Sequence, residues 1–362
     1  MRLARCAGHL LVTLAAGLAI TGCAVLGPAS IKSGRSAYND AIIATNSQQV
    51  LAMLVRMRYG EPSGLLAVAS VTANLHIQTT VGAEFGIGPD SNFAGNLTPL
   101  SAGIAYEENP TISYTPVQGE KYLRQFLSPL PIDLTLLLLG AVGNTPQVMT
   151  LLVRSINGIR NPDFATDTSV ETDPRFARIA ELLAELNRGD HIAWAQEPGE
   201  PLSFALALSG EGATYAQQVR ELYGLLGFAP PRDLDDIVTL PVHLGVGKPG
   251  RDAIRLRTRS LYDLFRIAAA SVEVPDEQVQ SGLAPQLAPA GAMGRAIRIQ
   301  GSKSCPRGAM IAFKHHGWWY SIDSADAGSK LTFQILEALM SVRMAESVEQ
   351  KSTPVLTVPV SR

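Results

Sequence analysis

LLAVASVTANLHIQTTV, residues 65–81, is the stretch that sets the fold class. Leu65, Ala67, Ala69, Val71, Ala73, Leu75, Ile77, Thr79 and Val81 hold its odd positions. From Ser70 onward the even positions are Ser70, Thr72, Asn74, His76, Gln78 and Thr80. A period of two kept this long marks a strand with one apolar and one polar face. A Gly- and Asn-rich connection from Gly82 to Leu100 leads to a second alternation, Ala102, Ile104 and Tyr106, which Ile112 and Tyr114 resume after Asn109-Pro110. The simplest arrangement is a long antiparallel hairpin with a bulge or break at the proline. Its even face carries hydroxyls, amides and His76, where an exposed sheet usually carries some Lys, Glu or Arg. An ordinary antiparallel sheet accounts for the pattern if another element or subunit covers that face. Alternatively, the odd face meets lipid and the uncharged face lines a channel shared by several subunits, since one hairpin cannot close a barrel.

Working outward, residues 37–59 carry apolar side chains at helical spacing (Ile42, Ile43, Val50, Leu54, Met57). They end in Arg56, Arg58 and Gly60, a helix stop. After the hairpin, Gln118–Leu127, Asp133–Leu139 and Gln147–Ile159 read as helices. Polar, proline-flanked Asn161 to Asp173 is the candidate boundary between regions 37–160 and 174–362. Beyond it come a helix from Pro174, strands near 191–196 and 203–208, a helix over 215–226, a strand near 253–257 and a helix over 261–270. Three short strands (296–300, 310–314, 318–322), a helix from Ala327 and a last strand at 354–360 follow. Strands outnumber crossovers and recur at hairpin spacing. The expected fold is therefore α+β, with mostly antiparallel sheets, packed helices and a long N-terminal helix before the long hairpin.

At the N-terminus, Arg2 and Arg5 precede an uncharged apolar run from Leu10 to Ile20. A membrane-spanning helix needs about 20 residues, so this run reads as an export signal. Ile20-Thr21-Gly22-Cys23 resembles the lipobox of bacterial lipoproteins. That resemblance implies a signal peptide over 1–22, a lipidated spacer over 23–36, a diacylglycerol thioether on Cys23 and an acylated amino terminus. Ala24 in place of an inner-membrane retention Asp implies the outer membrane, with the folded part in the periplasm. Two or more acyl chains anchor stably. Of three cysteines, Cys6 leaves with the signal and Cys23 is lipidated, so Cys305 has no partner for an intramolecular disulfide.

The 362 residues are 46% hydrophobic and 17% charged, which supports a full core and excludes a disordered chain. A net charge of −2 gives no electrostatic footprint for nucleic acid.

Arg35-x-x-Tyr38-Asn39-x-Ala41-Ile42, Arg56-x-Arg58-Tyr59 and Pro110-Thr111-Ile112-Ser113-Tyr114 form a pattern with two later parts. These are Ser155-Ile156-Asn157-Gly158 and Trp319-Tyr320-Ser321-Ile322 with Ser329-Lys330. The pattern resembles a group of uncharacterised proteobacterial lipoproteins over most of the chain. The resemblance brings no assigned activity, so no catalytic residue is carried over.

Motifs with chemistry are scarce. Gly-x-Ser-x-Gly, Walker A, His-Glu-x-x-His and Cys-x-x-Cys are all missing from the sequence, and Gly245-Val246-Gly247 lacks a third glycine. His315 and His316 beside Trp318 and Trp319 are the densest cluster. On a regular strand neighbours face opposite ways, so no shared metal is expected, and a hairpin turn at Gly317 explains the residues. Cys305 could form a nucleophilic pair with His315, although a turn cysteine explains it more simply. Asp323 and Asp326 could act as acid and base, yet helix capping accounts for one and the helix dipole for the other. His76 lies on the polar face of the hairpin.

The functional expectation is a non-enzymatic outer-membrane lipoprotein that serves envelope assembly or transport through an envelope partner or self-association. It needs no cofactor beyond the lipid on Cys23. Two alternatives stay open: an oligomeric pore built from the 70–115 hairpin, and a periplasmic hydrolase or ligand-binding protein.

Overall fold

The computed structural model describes residues 36–72, 75–83, 100–108, 111–117, 119–141, 145–161, 173–196, 203–234, 236–245, 253–287, 297–348 and 356–359. The signal region, Cys23 and the 161–173 boundary, apart from its two ends, lie outside these. Helix α1 covers residues 36–58. Strands β1 (Leu65–Thr72), β2 (Leu75–Ala83), β3 (Leu100–Glu108) and β4 (Thr111–Val117) follow, then helices α2 (Glu120–Leu127), α3 (Ile132–Ala141) and α4 (Thr145–Leu152). Next come β5 (Val153–Ile156), β6 (Ile159–Arg160), α5 (Pro174–Arg188), β7 (Ile192–Gln196), β8 (Phe204–Leu208), α6 (Ala213–Leu226), β9 (Val238–Leu244) and β10 (Ile254–Thr258). The chain continues through α7 (Leu261–Ala270), α8 (Asp276–Gln280), β11 (Gln300–Ser302), β12 (Ala309–His315), β13 (Trp318–Asp323), α9 (Ala327–Val348) and β14 (Leu356–Pro359). The fold is α+β, as the sequence indicates. Its contacts divide into two units, one of residues 1–63 with 124–343 and one of 64–123 with 344–362.

The smaller unit holds the hairpin. β1 pairs antiparallel with β4, and β14 adds to the other edge of β4. β2 pairs antiparallel with β3 from Leu75↔Glu108 to Ala83↔Leu100. The two ladders share one register: Thr72 pairs with Thr111 and Leu75 with Glu108, three residues on along each strand. The irregularity lies between Val68 and Ser70 on the first strand. The bulge or break expected at Asn109-Pro110 falls outside the described residues, between β3 and β4. The register is the same on both sides of residues 109–110, so any kink there leaves the pairing unshifted.

In the larger unit, a six-stranded sheet has the order β6-β5-β10-β9-β8-β7, antiparallel except for the β9–β10 pair. Phe176, Ile179, Ala180, Leu182, Leu183 and Leu186 recur at helical spacing along α5 and are all buried. Asp173 caps that helix by accepting from Arg175 N, with Pro174 in its first turn. Arg259, 1% exposed, ties the interior together. Its Nε donates to Leu151 O at 3.1 Å and its Nη2 to Asn161 O at 3.0 Å. Carbonyl oxygens thus replace the water that this guanidinium gives up.

The expected helix over 147–159 ends instead at Leu152. β5 and β6 then form a hairpin around Asn157-Gly158, where φ is 49° and 82°. Two consecutive positive φ angles mark the turn that matches strand twist. Asn157 Nδ2 donates to Leu226 O at 2.8 Å and its Oδ1 accepts from Arg255 N at 2.8 Å. Tertiary partners, together with the turn, overrule the helical spacing. Asn157→Ala should lose both bonds and strain the turn, costing about 2–4 kcal/mol. Asn157→Gly, which keeps the turn geometry, should cost less. Urea unfolding of the two variants checks the order.

Candidate functional site

The end of α1 builds one corner of the site. Gly60 takes φ +73°, its N–H donates to Met57 O at 3.1 Å and Glu61 N donates to Arg56 O at 2.9 Å. This paired bonding is the Schellman stop, and it requires a left-handed residue just past the helix. It fixes Arg58 and Tyr59 in the last turn and Glu61 immediately after it. Arg58 is buried and its Nη1 donates to Pro285 O at 2.6 Å.

The opposite corner is the β12–β13 hairpin. His315 pairs with Trp318, leaving His316-Gly317 as a two-residue loop with φ of 44° and 80°. The expected turn at Gly317 is present, but the expected divergence of the two imidazoles is not. Neighbouring side chains diverge only on a regular strand, and His316 has left-handed backbone. Both imidazoles consequently reach the same carboxylate: His315 Nε2 lies 2.9 Å from Glu61 Oε2, and His316 Nε2 lies 2.6 Å from Oε1. The two ring centroids are 4.1 Å apart. The ring of Tyr59 packs 5.2 Å from His315 and 5.0 Å from His316.

A polar chain, buried at its tyrosines, backs this cluster. Tyr59 donates its hydroxyl hydrogen to Gln278 Oε1, so the hydroxyl contact between Tyr59 and Tyr320 has Tyr320 as donor. Gln278 Nε2 donates on to His316 O at 3.2 Å. Burial raises both tyrosines above the ordinary phenol value and keeps them neutral donors. Burial also lowers His315 below the ordinary imidazole value, with Glu61 opposing it. The hydrogen bond from His316 holds the Glu61 carboxyl below its usual range.

The other candidates disperse. Trp318 and Trp319 are half-buried and do not fill the core, with Lys303 Nζ 5.3 Å and Lys314 Nζ 5.8 Å from the respective ring centroids. Cys305 is an exposed thiol in the loop between β11 and β12, and it has no hydrogen bond to His315. His76 sits in β2 at the register position opposite Glu107. Asp323 Oδ1 accepts from Ala325 N at 2.8 Å, which closes a local turn. Asp326 caps α9, its Oδ1 accepting from Ser329 N at 3.0 Å and its Oδ2 from the Ser329 hydroxyl at 2.7 Å. Sequence reasoning missed Tyr59, Glu61, Gln278 and Tyr320 as a group. Local signals existed in the Tyr59-Gly60-Glu61 stop and the His316-Gly317 turn, but nothing in the sequence joins them.

Comparison with protein-family models, with curated proteins and with solved structures finds no match to this chain.

The Asp326 cap gives a pH test. Bonds from Ser329 lower its carboxyl from 3.8. Its stabilisation is therefore complete above that unfolded value and is lost as pH falls through the lower native one. Asp326→Ala should cost about 1 kcal/mol near neutrality. The gap to the parent chain should close in acid, as followed by unfolding at a series of pH values.

Proposed function

We propose that this chain is an outer-membrane lipoprotein, anchored through Cys23 with its folded part in the periplasm, that works by assembling with further copies of itself through the hairpin. The lipobox resemblance and the likeness to proteobacterial lipoproteins support the anchor. One observation carries the assembly: β2 and β3 form a two-stranded sheet with nine residues in each strand. A lone two-stranded ladder is marginal in water and needs further strands or a packed layer. Its register puts Ile77 opposite Tyr106, Thr79 opposite Ile104, Val81 opposite Ala102 and Ala83 opposite Leu100, which makes one face apolar. From Ile77 to Ala83 and from Leu100 to Tyr106 there is no charged residue and no proline. Those are the usual guards against edge pairing, so the sequence leaves these strands open to strand addition.

Strand length favours one second reading, the oligomeric pore. Membrane strands run to about 9–11 residues with alternating faces. Copies that add edge to edge and close would give such a barrel.

The test is the mass of the lipidated chain in mild detergent. It is compared with a variant in which residues 73–110 are replaced by Asn-Gly, which retains β1, β4 and β14. A defined multimer that becomes a monomer in the variant is the expected result, and conductance in planar bilayers would select the pore. A monomer in both, or a multimer unaffected by the replacement, would contradict the assembly role.

A further inference from the structure

We infer that Glu61, His315 and His316 form a binding site for a first-row divalent cation of the zinc type. Their donor atoms come from three constrained positions: the residue after a Schellman stop, the last residue of β12 and the left-handed residue of its turn. All three atoms lie within 4.8 Å of one another. Two neutral imidazoles and one carboxylate are a donor set that zinc accepts, with bonds near 2.0–2.2 Å and a fourth position left for water.

A second observation points the same way. His315 Nε2 is buried and has no hydrogen-bond partner, although Glu61 Oε2 is 2.9 Å away. Of the two imidazoles, only His316 is aligned for a hydrogen bond to the carboxylate. Without a cation, then, this buried nitrogen has only a poorly aligned contact with Glu61 Oε2, where native proteins usually provide a full hydrogen bond. A cation between the three would take a lone pair from each imidazole and one from the carboxylate together. The side chains of His316 and Glu61 are 33% and 32% exposed, which gives the ion a path in from solvent.

The ring of Tyr59 and the bond from Gln278 to His316 O brace the two histidines from behind. Such outer-layer support is usual around metal ligands. The left-handed conformation of His316 also gains a purpose. A histidine there is less favourable than glycine or asparagine, and it is what turns the second imidazole towards Glu61.

The test uses the full chain, purified without a histidine tag in mild detergent and stripped with a chelator. Zinc chloride is titrated by calorimetry and cobalt chloride by visible absorption. One saturable ion per chain is expected, with a cobalt spectrum of low coordination number. Glu61→Gln and His316→Asn should each weaken zinc binding roughly tenfold or more. His316→Asn tolerates the left-handed turn, so its chelated form should unfold at the parent's temperature, which separates loss of a ligand from loss of the fold. His243→Ala, exposed on β9, should bind as the parent does. Absence of saturable zinc binding by the parent chain, or unchanged affinity in both ligand variants, would falsify the site.

Discussion

The left-handed turn at Gly60 is the constraint on which the His–Glu corner depends. Its paired bonds to Arg56 and Met57 stop α1 at one residue and set the direction of the three side chains around it. Arg58 then meets Pro285, Tyr59 meets Gln278 and Tyr320, and Glu61 meets both imidazoles of the β12–β13 turn. A side chain at position 60 would strain the +73° backbone whatever space is free around it. Two members of the corner are held twice. His316 is fixed by its turn and by Gln278, and Tyr59 by two hydroxyl bonds.

What the sequence made legible was local. The strand character of residues 65–72 and 75–81 and the Arg56-x-Arg58-Tyr59-Gly60 stop need only neighbouring residues and were legible, although the unbroken period missed the bulge between Val68 and Ser70. A cap from one of Asp323 and Asp326 was legible for the same reason, and the structure assigns it to Asp326. Of two turns, Asn157-Gly158 was hidden within a run that fits another pattern, whereas the turn at Gly317 was expected and only the direction of the His316 side chain was not. In the first, helical spacing continues through Gln147 to Ile159. In the second, strand alternation places His315 and His316 on opposite faces until the backbone angle at His316 is known. The meeting of Tyr59 with Tyr320, far apart in the chain, follows from tertiary packing that no local pattern encodes.

The hairpin and the histidine corner belong to separate units and ask for different chemistry. The corner is polar, partly buried and braced, which suits a small hard-edged ligand held in fixed geometry. Among the described residues the β2–β3 ladder has two strands and no charge from Ile77 to Ala83 or from Leu100 to Tyr106, which suits addition of further strands. The hairpin's described pairs keep one register from Ser70↔Ser113 to Ala83↔Leu100, and among them the irregularity lies near the base between Val68 and Ser70. A bulge there raises local twist, shifts the β1–β4 pairing by one residue and re-aims the ladder beyond it.

Hydrogen exchange of the β2 and β3 amides, measured on the full chain when dilute and when assembled, tests the hairpin's dependence on other copies most directly. If further copies complete the sheet, Ile77–Ala83 and Leu100–Tyr106 exchange quickly in the dilute chain and slowly in the assembled one, while β1 and β4 stay protected in both. Equal and strong protection of β2 and β3 at every concentration would contradict that dependence.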